Sequence, residues 1–133
     1  LGSAAIRRVD DDATLVSLAG MMPHTLAAAE LLAAKHDIEC TVIDLRSLVP
    51  LDIATVLASV RQTSRLVTVE ENPRRCGWGA EVVSIIAEEA FFDLDAPIRR
   101  VTSPHVPIAF ATNLEASQLP GVDRIVEAVR TLG

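Results

Sequence analysis

The stretch Thr41-Val42-Ile43-Asp44-Leu45-Arg46-Ser47-Leu48-Val49-Pro50-Leu51-Asp52 constrains the fold more than any other. Val42 and Ile43 are β-branched, and the apolar run from Cys40 to Leu45 has the length of a buried strand. Pro50 disfavours helix at Val49, so a helix must start after it. Asp52 is placed to cap the amphipathic run 53–62 by accepting orphan backbone N–H groups. Strand, loop and capped helix make one crossover unit, and the same alternation recurs along the chain.

Residues 5–9 read as a short edge strand in which Arg7 and Arg8 discourage further pairing. Asp10-Asp11-Asp12 reads as a solvated acidic turn, with a metal site as the alternative. Thr14-Leu15-Val16-Ser17-Leu18 is a strong strand ended by Gly20, and a helix is expected over 25–35 with Ala28, Leu31 and Leu32 on one face. A further strand is expected over 65–71, a loop over 72–76, a helix over 80–91 and a strand over 98–101. Residues 103–120 carry three prolines and read as a long ordered surface loop, and 122–132 as a closing helix with Ile125, Val126 and Val129 inward. Strands alternating with helices at this spacing imply a mostly parallel sheet covered on both faces, a three-layer α/β/α architecture. No repeat, linker or low-complexity segment divides the 133 residues, so one domain is expected, with residues 1–4 set apart as an expression remnant.

Aromatic residues make up only 3% of the chain, so Ala, Val, Leu and Ile must fill its core. A net charge of −6 argues against nucleic acid and suits a basic partner. Eleven of the twelve cationic residues are arginine, which favours bidentate pairing at interfaces. Cys40 and Cys76 form neither a disulfide framework nor a metal motif. Cys40 reads as a small core residue and Cys76 as an incidental or reactive loop thiol. No apolar run reaches transmembrane length and no signal peptide opens the chain, so an intracellular, reducing compartment is expected.

Chemistry-bearing motifs are sparse. The chain has no nucleophile elbow, phosphate loop, dinucleotide glycine fingerprint or paired metal ligands. Gly77-Trp78-Gly79 opens a helix, where its amides either hold an anion or simply permit close approach of loop to sheet. Glu70-Glu71 reads as an acid/base pair at a strand end, or as one carboxylate bonded to loop amides beside one solvated carboxylate. His24 lies where the first strong strand meets its helix, on the side where ligands bind in α/β sheets. His36 suits a helix C-terminal turn, and His105 stands alone. Trp78 reads equally as interface anchor or core.

Six segments resemble one family in its own order. They are Ala13-Thr14-Leu15-Val16-Ser17, Ala28-Ala29-Glu30-Leu31-Leu32, Val42-Ile43-Asp44-Leu45-Arg46 with Pro50-Leu51-Asp52, Leu66-Val67-Thr68-Val69-Glu70-Glu71, Gly77-Trp78-Gly79-Ala80-Glu81-Val82, and Leu94-Asp95-Ala96-Pro97-Ile98 with Arg100-Val101-Thr102. Together they resemble the C-terminal, transketolase-like domain of the beta subunit of thiamine-diphosphate-dependent 2-oxo acid dehydrogenases. The loop Asn72-Pro73-Arg74-Arg75-Cys76 departs from that pattern.

The resemblance implies a five-stranded sheet in the order 1-3-2-4-5 with strand 1 antiparallel, and a crevice collecting Gly20, His24, Glu70 and Glu71. It implies thiamine diphosphate and Mg in the full enzyme, held by the alpha subunit and the beta subunit's N-terminal domain, and no catalytic or cofactor residue on this chain. Implied partners are an alpha subunit and a second beta subunit in a heterotetramer, and the peripheral subunit-binding domain of the dihydrolipoyl acyltransferase. Asp95 is the residue implied to meet that last partner. The compartment would be the cytoplasm of a bacterium or the mitochondrial matrix of a eukaryote. Two other readings stand beside it: the corresponding domain of a transketolase or deoxyxylulose-phosphate synthase, and a free-standing regulatory domain holding an anion at Gly77, Trp78 and Gly79. The apolar segment 104–110 is expected to drive self-association.

Overall fold

A computed structural model describes residues 2–103 and 121–132. The strands are β1 (Ala5–Arg8), β2 (Ala13–Ser17), β3 (Cys40–Asp44), β4 (Leu66–Pro73) and β5 (Arg99–Ser103). The helices are α1 (Met22–His36), α2 (Ile53–Thr63), α3 (Trp78–Glu89) and α4 (Val122–Arg130). Short 3-10 turns stand at Ala19–Met21 and Phe91–Asp93. The sheet order is β1-β3-β2-β4-β5, with β1 antiparallel to β3 and the other pairings parallel, as the resemblance implied.

Right-handed crossovers dictate which face each helix covers. From β2 the chain steps to one side to reach β3, then back across β2 to β4 and onward to β5, so α1 should lie on one face and α2 with α3 on the other. The two cores follow that division. Leu15, Val42, Val67, Val69 and Val101 pack with Ala28, Ala29, Leu32, Ile125 and Val129 from α1 and α4. Val16, Ile43 and Leu66 pack with Val56, Val60, Val82 and Ile86 from α2 and α3. Neighbouring strand residues thus enter opposite layers, as the two-residue period requires.

Local chemistry fixes the helix ends. Asp52 caps α2, its Oδ1 accepting the Thr55 N–H at 3.2 Å. Its Oδ2 accepts the Thr55 hydroxyl at 2.6 Å and the Ala4 N–H at 2.9 Å. Ala4 is therefore tied into the fold and packs against the second core. Helix α1 starts at Met22, three residues before the expected Thr25, because Pro23 is tolerated in a first helical turn. It ends where Asp37 takes a left-handed conformation (φ 55°) and donates its N–H to Leu32 O. Strand β4 continues to Pro73 rather than ending at Glu71, and α3 begins at Trp78 rather than Ala80. Residue 103 ends β5; the expected loop beyond it, His105 and the segment 104–110 lie outside the described residues.

A polar seam crosses the second layer. Thr14 Oγ1 lies 2.7 Å from both Ser59 Oγ and Thr63 Oγ1, and all three residues are buried. Each hydroxyl satisfies another, which is the condition for burying it under α2.

Candidate functional site

Three places could carry function: the start of α3, the crevice at the carboxyl ends of β2 and β4, and the groove between α3 and the approach to β5.

At the start of α3 the two glycines serve a carboxylate that belongs to the chain. Gly77 is the cap residue, and the Gly79 N–H donates to Glu70 Oε2 at 2.9 Å. A Cβ on Gly77 would stand 2.6 Å from that oxygen, and one on Gly79 would stand 2.7 Å from Oε1. Neither distance is tolerable, so only glycine lets the helix start close over the strand. The positive end of α3 therefore faces Glu70, which agrees with the reading of these glycines as permitting close approach of loop to sheet. The Gly79 amide, one of those offered for an outside anion, is taken by this side chain. Trp78, between the two glycines, is half-buried and packs against the second core.

Glu70 has a second partner. Arg100 Nη2 on β5 lies 2.6 Å from Glu70 Oε1, with the Glu70 side chain fully buried and that of Arg100 12% exposed. The same nitrogen donates to Arg74 O at 2.7 Å, and Arg74 Nη1 donates to Arg100 O at 3.3 Å. This exchange anchors the loop that departs from the family pattern. The sequence reading missed Arg100. Its signal was register: Thr68 pairs with Arg100, so Glu70, two residues on, faces the same layer.

Glu71 is exposed. One carboxylate is thus buried and bonded to a loop amide while the other is exposed, the second of the two readings for this pair. Glu71 instead reaches Gly20, where a Cβ would overlap its Oε1. Beside it lies a crevice of about 240 Å³ lined by Leu18, Ala19, Leu48, Glu71, Asn72 and Trp78. It opens where the strand order reverses between β2 and β4, a usual ligand position in such sheets. His24 is exposed on α1 and does not line it. His36 is in the last turn of α1, and Cys76 is exposed in the loop before α3 with φ 58°. Cys40 is buried, and burial pushes its thiol up to about 12. The acidic turn is used internally: Asp12 Oδ2 accepts the Glu39 N–H at 2.8 Å, and Asp11 accepts from Gln62 at 3.2 Å.

The groove has a volume of about 670 Å³ and is lined chiefly by Val83, Ala87, Phe91, Phe92, Asp95 and Pro97. Phe91 and Phe92 are 61% and 96% exposed, their rings 5.3 Å apart edge to face. Asp95 is exposed at its margin; its N–H is donated to Ser64 O at 2.9 Å, which fixes the backbone and leaves the carboxylate outward. Glu88, Glu89 and Asp93 surround the same end of α3. Asp93 has Arg61 at 3.7 Å. Among the described residues, no group of three or more His, Cys, Asp or Glu is arranged to hold a metal ion. No helix among them is long and apolar enough to cross a membrane.

Known proteins agree with this architecture. The chain is 45% identical over 130 residues to a rice (Oryza sativa subsp. japonica) mitochondrial pyruvate dehydrogenase E1 component subunit beta-2, covering 98% of this chain and 34% of that protein. It is 44% identical to the pyruvate dehydrogenase E1 component subunit beta of Rhizobium meliloti (strain 1021), covering 99% of this chain and 28% of the relative. The chain thus spans about a third of the length of these relatives. Among solved structures, a split gene transketolase described as an inactive beta4 tetramer superposes with a TM-score of 0.84 at 29% identity, over 98% of this chain and 41% of that one. A 2-oxoglutarate:ferredoxin oxidoreductase from Magnetococcus marinus shares the fold at a TM-score of 0.63 and 14% identity, over 97% of this chain and 19% of that one. Residues 2–125 match the family model for the transketolase C-terminal domain, and the chain belongs to that family.

Proposed function

We propose that this chain is the C-terminal domain of a 2-oxo acid dehydrogenase beta subunit and serves assembly and docking rather than chemistry. The identity of 43–47% with pyruvate dehydrogenase beta subunits carries the enzyme context. Exposed Asp95 beside an apolar groove carries the docking role. In this reading the whole enzyme decarboxylates pyruvate or a branched-chain 2-oxo acid, and the domain packs within a heterotetramer of alpha and beta subunits. Asp95 then meets basic residues of the acyltransferase's peripheral subunit-binding domain. A cytoplasmic or mitochondrial-matrix location follows from the same reading.

Thiamine diphosphate with Mg does not fit the described residues. A diphosphate needs free helix-start amides or cations around it, and Mg needs oxygen ligands. The Gly79 amide is taken by Glu70, and no metal-holding group is present among these residues. In this reading the cofactor is held by other parts of the enzyme and the isolated domain is inactive. Calorimetry tests this: the chain alone should take up no thiamine diphosphate at micromolar concentration in the presence of Mg, while a reconstituted heterotetramer should. Tight, stoichiometric binding to the chain alone would overturn the assignment.

The transketolase reading has one observation in its favour, the superposition on a split gene transketolase, but at lower identity than the pyruvate dehydrogenase relatives.

A further inference from the structure

We propose that the crevice at the strand-order reversal receives an arginine side chain from a partner protein, with Glu71 as the acceptor of its guanidinium. The inference is separate from the docking role of Asp95 and uses none of its residues.

The crevice combines three features that suit an arginine. Leu18, Ala19 and Leu48 supply apolar wall for a methylene stem, Glu71 a carboxylate for the head, and Trp78 an aromatic surface on which a guanidinium can stack. Among the described residues the Glu71 carboxylate makes no hydrogen bond or ion pair, whereas Glu70 next to it is fully engaged. The nearby positive end of α3 does not oppose a cation, because Glu70 already faces it. Internal cations are committed or absent from the lining: Arg74 bonds Arg100 O, and Arg75 does not line the crevice.

Size selects the class of occupant. At about 240 Å³ the crevice is much larger than a water molecule's share of roughly 30 Å³ and smaller than the ~300–1,000 Å³ of cofactor and drug pockets. A single long side chain matches it. Its surroundings favour a protein as the bearer of that side chain, since the lining residue Leu48 is 39% exposed and Val49, next to it in the chain, 91%, apolar surface suited to a second protein. Gly20 is part of the arrangement: its missing Cβ leaves room for the Glu71 carboxylate. An alanine there displaces only the mobile end of an exposed side chain, so it disturbs the acceptor without disturbing the core.

Trp78 is the only tryptophan and reports on the crevice directly. The experiment titrates the chain with N-acetylarginine amide and, in parallel, with N-acetylcitrulline amide, which has the same shape without the charge. The expected result is a saturable fluorescence change with the arginine probe in the millimolar range. The citrulline probe, Glu71→Gln and Gly20→Ala should each weaken it by about tenfold. Absence of a saturable response, equal response to citrulline, or wild-type response from both variants would overturn the proposal.

Discussion

Glu70 and Arg100 stand on adjacent strands with Arg100 Nη2 2.6 Å from Glu70 Oε1, and the carboxylate between them and helix α3 is fully buried. One side chain thereby joins β4, β5 and the first turn of α3. A buried pair of this kind is stabilising only while complete. Arg100→Met should cost about 3–5 kcal/mol, because it leaves a buried carboxylate with one amide partner. Glu70→Leu combined with Arg100→Met should recover much of that loss. Urea unfolding of the single and double variants measures both values, and strictly additive losses would argue against the pairing.

Gly79→Ala should reverse the usual order of helix propensity. Alanine normally exceeds glycine by about 0.5–1 kcal/mol within a helix. Here the added Cβ would meet Glu70 Oε1 at 2.7 Å, Thr68 Oγ1 at 2.9 Å and Arg100 Nε at 3.2 Å. A net destabilisation of about 1–3 kcal/mol is expected, read as a lower urea midpoint at unchanged slope. A stabilised variant would mean that this helix start sits farther from β4.

Much of this was legible in the sequence, and what was not has a common cause. Periodicity placed β2, β3, α2 and α4, because their apolar positions sort cleanly into one layer or two. Asp52 was legible as a cap because capping is local. The partner of Glu70 was not, since Arg100 is thirty residues away and meets it only through the β4–β5 register. Likewise the continuation of β4 to Pro73 was not legible, since the asparagine and proline at its end read as a loop. Asp95 was singled out by resemblance, while the exposed Phe91 and Phe92 beside it went unread because the preceding helix pattern appeared to include Phe91.

Asp52 links stability to pH. The Thr55 hydroxyl, then the Ala4 N–H and the Thr55 N–H, hold its carboxyl below the ordinary value of 3.8. A group depressed in the folded state contributes above its unfolded value and loses that contribution as pH falls through the folded one. Asp52→Asn retains a capping oxygen but does not titrate. The stability difference between wild type and Asp52→Asn should therefore be constant from pH 7 to about 5 and shrink below about pH 4. Asp52→Ala should cost about 1 kcal/mol at neutral pH. A difference that stays flat down to pH 2 would contradict the assignment.

The two thiols should be separable by a disulfide reagent at neutral pH. Cys76 is exposed, while Cys40 is buried with its thiol pushed up to about 12. One thiol should react in the folded chain and a second only in denaturant, and Cys76→Ser should abolish the first. Two equally fast thiols without denaturant would place Cys40 outside the core.

The docking role is tested most directly at Asp95, by the affinity of the acyltransferase's subunit-binding domain for heterotetramers carrying wild-type or Asp95→Arg beta subunits at two salt concentrations. Asp95 is exposed and backbone-anchored, so reversing its charge changes the surface without opening the core. The account predicts an affinity loss of about tenfold or more at low salt, roughly 1.4 kcal/mol, in a variant that assembles normally. The difference should narrow at high salt, as screening shortens the reach of a rim charge to about 3 Å at 1 M. Equal affinities for the two assemblies at both salts would remove Asp95 from the interface.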